Sequence, residues 1–213
     1  MPRPAGPPMP AVARLSLYLR QLEQLAAGGA ERVSSRQLAG SLRTTAAQVR
    51  KDLAYFGQFG QPGLGYNVSD LIRHLRRILG TDKVSKVVLV GAGNLGSALL
   101  RYRGFRKKGF EIAAAFDVSR SRVGSAIGEV KIHRLDDLPK IVRDQRVRLA
   151  IMAVPAEAAQ GVADLLCGAG IRGILNFAPA TLDVPSDVTV DPVDLAGHME
   201  QLSFHVASRT EEG

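Results

Sequence analysis

A chain of 213 residues, 46% hydrophobic and 23% charged, is long enough for one or two folded domains and too apolar for a disordered class. The formal net charge of +8 is unevenly placed: residues 1–80 carry eleven Lys/Arg against Glu23, Glu31, Asp52 and Asp70, a net of +7, and residues 81–213 a net of +1. A basic first half beside a near-neutral second half points to an anionic partner for the first, with a merely solvated basic surface as the alternative.

The opening MPRPAGPPMP is proline-rich without an apolar stretch, so residues 1–10 are expected to be a flexible leader and not a secretion signal. No apolar run approaches a membrane span. The single cysteine, Cys167, excludes an internal disulfide framework; it reads as a small core residue and fits a reducing compartment, so a cytoplasmic protein is expected.

From Ala11 to Ala27, Leu15, Tyr18, Leu19, Leu22 and Leu25 recur at three- and four-residue steps, which predicts a helix ended by Gly28-Gly29. SSRQLAGSL predicts a second helix capped by Ser34 or Ser35, with Leu38 and Leu42 on one side. RTTAAQVRKDLAYFG predicts a third, capped by Thr44 or Thr45 and stopped at Gly57, with Ala46, Val49, Leu53 and Phe56 inward. Two short helices joined around Arg43 form a helix-turn-helix pattern. In the second of them, Ala47, Arg50, Lys51 and Ala54 lie outward. The small residues permit close approach to DNA, and Arg50 and Lys51 can reach guanine edges or phosphates. Arg43, Thr44, Thr45 and Gln48, near the helix start, are candidates for phosphate or base contacts, and Asp52 is expected to orient one of the cations. GQFGQPGLGYNV then reads as a wing: Gln58–Gln61 and Leu64–Val68 flank a Pro62-Gly63 turn, with Gly60 and Gly63 near the duplex. A last helix, capped by Asn67 or Ser69, carries Leu71, Ile72, Leu75, Ile78 and Leu79. The outline of residues 11–80 is a winged helix; a small helical domain with solvated cations is the rival.

Residues 81–193 read as alternating strands and helices. KVVLV is a buried strand followed directly by GAGNLG, which spaces Gly91, Gly93 and Gly96 as G-x-G-x-x-G around Ala92, Asn94 and Leu95. The first glycine suits the tight turn, the second a close pyrophosphate, the third helix–strand packing. EIAAAFD supplies the next strand and ends in Asp117, about twenty residues past Gly96, placed to accept ribose hydroxyls and to favour NAD(H) over NADP(H). Arg120 and Arg122 nearby weaken that preference. The alternative is a glycine turn used only for packing. VKIH, VRLAIMAV, GILNFA and VTVDPV continue as strands, with DDLPKIVRDQ and AEAAQGVADLLCGAG as helices. This alternation predicts a Rossmann-like, doubly wound parallel sheet in an α/β protein. Ligand is then expected across the strand ends, near Val154-Pro155 and Asn176-Phe177. Residues 194–213 form a terminal helix and tail; Leu195, His198, Met199, Leu202, Phe204, His205 and Val206 suggest burial against another subunit. His74, His133, His198 and His205 sit in no recognisable catalytic setting. No catalytic residue and no metal site is assigned.

The ordered set QVRKDLAYFGQFGQPGLGY, VGAGNLGSALLRYRGF, AFDV, AVPAEAAQ and GILNFAP resembles the Rex family of bacterial redox-sensing repressors, from about Ala11 to Val206. The resemblance implies a homodimer that exchanges its C-terminal, domain-swapped helix. It also implies NADH as ligand with NAD+ as competitor, and palindromic operator DNA released when NADH rises. By motif, Arg50 and Lys51 match operator-reading positions, Gly91 to Gly96 and Asp117 the dinucleotide site, and Tyr102 a tyrosine near the nicotinamide and the subunit interface. Tyr102 and Phe105, with the exchanged helix beginning at Asp194, are the expected sensors of the nicotinamide's redox state, and Arg20 is a candidate partner for Asp194. An NAD-dependent oxidoreductase with an added basic domain, and a CoA- or nucleotide-binding scaffold, remain as rivals.

Overall fold

A computed structural model describes residues 7–61 and 63–210 and divides between Lys83 and Val84 into two units. In the first, α1 (Met9–Ala27) buries Ala11, Leu15, Tyr18, Leu19 and Leu22. The helix starts inside the stretch expected to be a flexible leader, because a proline in the first turn forfeits no helical hydrogen bond; residues 1–6 of that leader lie outside the described residues. After β1 (Arg32–Val33), α2 (Ser35–Gly40) opens with a capping box. Gln37 N donates to Ser34 Oγ at 3.2 Å, and Ser34 N donates to the Gln37 side chain at 2.8 Å. Thr45 caps α3 (Ala46–Ala54), its hydroxyl accepting from Gln48 N at 3.1 Å, and Asn67 caps α4 (Val68–Ile78) in the same way from Asp70 N at 2.9 Å. Leu15, Tyr18, Leu22, Leu38, Val49, Leu53, Leu71 and Leu75 close the core between these helices. Each fully buried aliphatic side chain contributes about 1.5–3 kcal/mol.

The wing differs from the expected pairing. The strand partner of β2 (Tyr66–Asn67) is β1, with Arg32 opposite Asn67 and Val33 opposite Tyr66. Gln61 meets Gly65 only through an isolated bridge, and Pro62 lies outside the described residues. Two-residue strands leave no periodicity to read. The ribbon lies close enough on β1 that a Cβ on Gly65 would stand 2.5 Å from the Val33 carbonyl oxygen.

In the second unit, β3 (Ser85–Val90), α5 (Asn94–Arg101), α6 (Gly104–Lys107), β4 (Phe110–Asp117), β5 (Ala126–Ile127) and β6 (Val130–Arg134) form one half. The other half is α7 (Leu138–Gln145), β7 (Leu149–Met152), α8 (Ala156–Ala169), β8 (Gly173–Asn176) and β9 (Thr189–Pro192). The sheet runs β5-β6-β4-β3-β7-β8-β9, parallel throughout except for the β5–β6 pair at one edge. Without that added edge strand, the order is that of two mononucleotide-binding halves, reversing between β3 and β7. Val88 and Val90 face a core made with α7 and α8, while Val87 and Leu89 face the side of Leu99, Leu100 and Phe105. Both faces of β3 are thus covered, which is why its sequence is continuously apolar. The short α6 and β5 have no counterpart in the sequence reading.

The terminal helix α9 (Leu195–Thr210) leaves Leu195, Met199, Leu202, Phe204 and Val206 exposed, Phe204 by 68%. No helix among the described residues is long and apolar enough to cross a membrane.

Candidate DNA-reading and dinucleotide-binding surfaces

On α3 the residues Val49, Asp52 and Leu53 point into the core, which turns Ala47, Arg50, Lys51 and Ala54 outward. Arg50 Nη1 donates to Ser35 Oγ at 2.9 Å, so the start of α2 steadies this guanidinium. A groove of about 590 Å³ separates α3 from the wing and brings Ser35, Arg50, Gly57, Gly60 and Gly63 together. Arg32 Nε, donating to Leu64 O at 3.0 Å, ties the wing back to β1. Ser35 and Arg32 were not legible as site residues, since their partners are distant in the chain. Lys51, Arg43 and Thr45 are exposed near the same helix; Thr45 Oγ1 is engaged as the cap, and Thr44 is half-buried.

Two expectations change here. Asp52 does not orient Arg50 or Lys51. It is completely buried, and Arg14 Nε and Nη2 reach its two oxygens at 2.6 and 2.8 Å. Tyr18 OH joins at 2.7 Å. Gln48, expected near bases or phosphates, donates its amide to Asp52 Oδ1 at 2.7 Å and so turns away from the reading face. Burial alone would push the Asp52 carboxyl up, but the hydrogen bonds from Arg14, Tyr18 and Gln48 outweigh it and hold the group below the usual carboxylate range. Burial, and then the bond to Asp52, push the Tyr18 hydroxyl up to about 12.

The glycine turn sits where the strand order reverses. Gly91 follows β3 with φ +92°, and a Cβ there would collide with the Ala153 carbonyl just past β7; one on Gly96 would collide with Gly91's own carbonyl. These two glycines therefore let strand, turn and helix close on each other. A Cβ on Gly93 would instead meet nothing within 4 Å. The open space in front of Gly93, beside the amides that begin α5, has room for a pyrophosphate. Ala92 N donates to Asp117 Oδ2 at 2.8 Å and Ser119 N to Oδ1 at 2.7 Å, so Asp117 ties the end of β4 to the turn. Arg122 Nη1 stands 3.4 Å from Oδ2. Each oxygen keeps acceptor capacity for a sugar hydroxyl. A hollow of about 360 Å³ opens there between Asp117, Arg120 and Arg134.

At the opposite end, Leu95, Phe177, Pro179, Asp194 and Leu195 line a hollow of about 490 Å³. Asn94 is exposed at the first position of α5, Val154 packs beside Gly91, and Pro155 caps α8. Asn176 is buried and its amide is engaged by its own loop, accepting from Ala178 N at 2.8 Å and donating to Ala180 O at 3.1 Å. Its side chain shapes the loop that carries Phe177 and does not face the hollow. Asp194 Oδ1 accepts from Gly197 N at 2.9 Å and starts α9. Tyr102 and Phe105 stack edge to face with centroids 5.2 Å apart, at the C-terminal end of α5. They line a different, smaller hollow with Phe110 and Ile112, so a single chain does not bring them to the Phe177–Asp194 side. Arg20 is exposed on α1 of the first unit. Cys167 is half-buried, and burial pushes its thiol up, away from a reactive thiolate.

Two family models match the chain: "CoA binding domain" over residues 82–180 and "Putative DNA-binding protein N-terminus" over residues 8–54. The redox-sensing transcriptional repressor Rex of Carboxydothermus hydrogenoformans is 49% identical over 199 residues, spanning 93% of this chain and 96% of its own. The chain belongs to the Rex family. Rex of Desulforamulus reducens is 46% identical over 94% of this chain and 95% of its own. Among solved structures, the Rex-family repressor RSP in complex with β-NAD+ and operator DNA matches with a TM-score of 0.90 at 37% identity, covering 95% of this chain and 94% of that one. RSP with β-NADH matches at 0.85 and 35%, covering 95% of each chain. This Rex chain is accordingly a redox-sensing transcriptional repressor and not an enzyme, with a winged-helix unit and a Rossmann-like unit.

Proposed function

We propose that this Rex protein binds palindromic operator DNA as a homodimer when NADH is low and releases it when NADH occupies the second unit. The carrying observation is a glycine turn at the strand-order reversal, open in front of Gly93 and tied to Asp117, in the same chain as the outward Arg50 and Lys51 of α3. The RSP complexes with β-NAD+ plus operator DNA and with β-NADH support the same pair of ligands here. The proposed site of action is the cytoplasm, where DNA and the NAD(H) pool meet.

For the ligand to act as a switch, it must bind one arrangement of the dimer better than the other; equal affinity for both would shift nothing. NADH and NAD+ differ by one hydride, a neutral puckered ring against a planar cation. The side chains of Leu95, Phe177 and Leu195 give the hollow an apolar wall that suits the neutral ring, while Asp194, the carboxylate in its lining, has Oδ1 engaged by Gly197 N. The exposed apolar residues of α9 support an exchanged helix that would complete this hollow from the partner. Tyr102 and Phe105, at the far end of α5, act on the nicotinamide across that interface.

Gel-shift titrations on a palindrome selected from a randomised duplex pool, run across NADH/NAD+ ratios, test the reading. Binding is expected to be lost as the NADH fraction rises. Retention at every ratio would contradict it. A larger rise in melting temperature with CoA than with NADH would favour the CoA-binding description of residues 82–180 instead.

A further inference from the structure

The completely buried Asp52 is the one acid on α3, and four donor groups converge on its two oxygens. Arg14 Nε and Tyr18 OH reach Oδ2 at 2.6 and 2.7 Å, while Arg14 Nη2 and Gln48 Nε2 reach Oδ1 at 2.8 and 2.7 Å. Two of these side chains come from α1 and one from the preceding turn of α3 itself. Apolar packing through Val49 and Leu53 holds α3 on the core without fixing its rotation, because dispersion contacts are weakly directional. A bidentate guanidinium–carboxylate pair with a third and fourth donor is strongly directional. A buried ion pair contributes little net stability over apolar residues of the same volume. Stability alone therefore gives no reason to place a carboxylate here.

Resting on the DNA-binding reading above, we propose that Arg14, Tyr18 and Asp52 are positioning residues that fix the rotation of α3 against α1, with Gln48 held on Asp52 from within α3 itself. Gln48 is thereby withdrawn from the duplex, and base reading is left to Arg50 and Lys51. The geometry gives the reason. One residue along a helix is a rotation of about 100°, so a turn of α3 by about 60° would bring Ala47 round to the direction of Arg50, and a turn of about 100° would bring Val49 or Lys51 there. Asp52 lies roughly opposite Arg50 around the helix, so locking one locks the other.

The test is binding-site selection from a randomised duplex pool, followed by affinities for the selected duplex and for random duplex of equal length, using the full chain. Gln48→Ala is expected to select the same sequence as wild type. Asp52→Asn is expected to lose specific over random affinity by about tenfold or more, the scale of one misplaced bidentate base contact, while random affinity and its salt slope stay nearly unchanged. A merely structural role would lower specific and random binding together. Tyr18→Phe removes one hydroxyl without changing core volume and is expected to shift discrimination in the same direction, so the proposal remains testable should Asp52→Asn fail to fold. Relaxed preference at one base pair in Gln48→Ala would overturn the proposal, as would unchanged discrimination in Tyr18→Phe and Asp52→Asn. Wild-type protein that selects no duplex would overturn the DNA-binding reading itself and this proposal with it.

Discussion

At the residue scale, Gly93 and Gly96 answer different demands within one motif. A methyl on Gly96 meets backbone, whereas one on Gly93 meets open space. Gly93→Ala is therefore expected to keep its melting temperature and lose most of its NADH affinity, as read by calorimetric titration; Gly96→Ala is expected to destabilise the second unit by more than about 2 kcal/mol, as read by denaturant unfolding. Gly104 offers a similar probe, because a Cβ there would strike the Tyr102 ring. Asp52 adds a pH dependence. Its folded pKa lies below the unfolded one, so its contribution is present at neutral pH and is lost as pH falls below about 4 toward the depressed value. Tyr18 works in the opposite sense: its raised pKa, about 12, makes its contribution full below the unfolded value and lost as pH rises toward that point. Thermal melts of Asp52→Asn against wild type should converge on the acid side. A wild-type melt no more acid-sensitive than the variant's would contradict the assigned shift. The glycine spacing and Asp117 were legible because they are local to a strand end and to a fixed offset. Asp52's partners were not, because Arg14 is 38 residues away and only the packing of α1 on α3 joins them.

At the scale of elements, most helices and long strands could be read from period and caps: Ser34, Thr45 and Asn67 each accept the backbone hydrogen bond that starts a helix. The wing's pairing was hidden, since β1 and β2 are two residues each and their alignment depends on Gly65 lying against Val33. Arg32 holds the wing tip through Leu64 O, so Arg32→Ala is expected to weaken operator binding several-fold with little change in thermal stability, measured by fluorescence anisotropy. A loss of stability as large as the loss of affinity would make Arg32 a folding residue and not a wing anchor. The apolar side of α9 was legible as a stripe without a cover. Leu202→Lys is expected to shift the protein toward monomer in sedimentation, because a buried unpaired ammonium in an interface is costly; an unchanged dimer would remove this helix from the interface.

At the scale of the whole molecule, two binding surfaces on separate units matter together only if one ligand changes the other's affinity. Such coupling is a free energy shared between sites and is the same in both directions. A coupling of about 1–3 kcal/mol changes affinity about 5- to 150-fold. The most direct measurement is therefore an NADH titration of the dimer with and without saturating operator duplex. Operator is expected to weaken NADH binding by the same factor by which NADH weakens operator binding; equal NADH affinities in the two titrations would contradict the account.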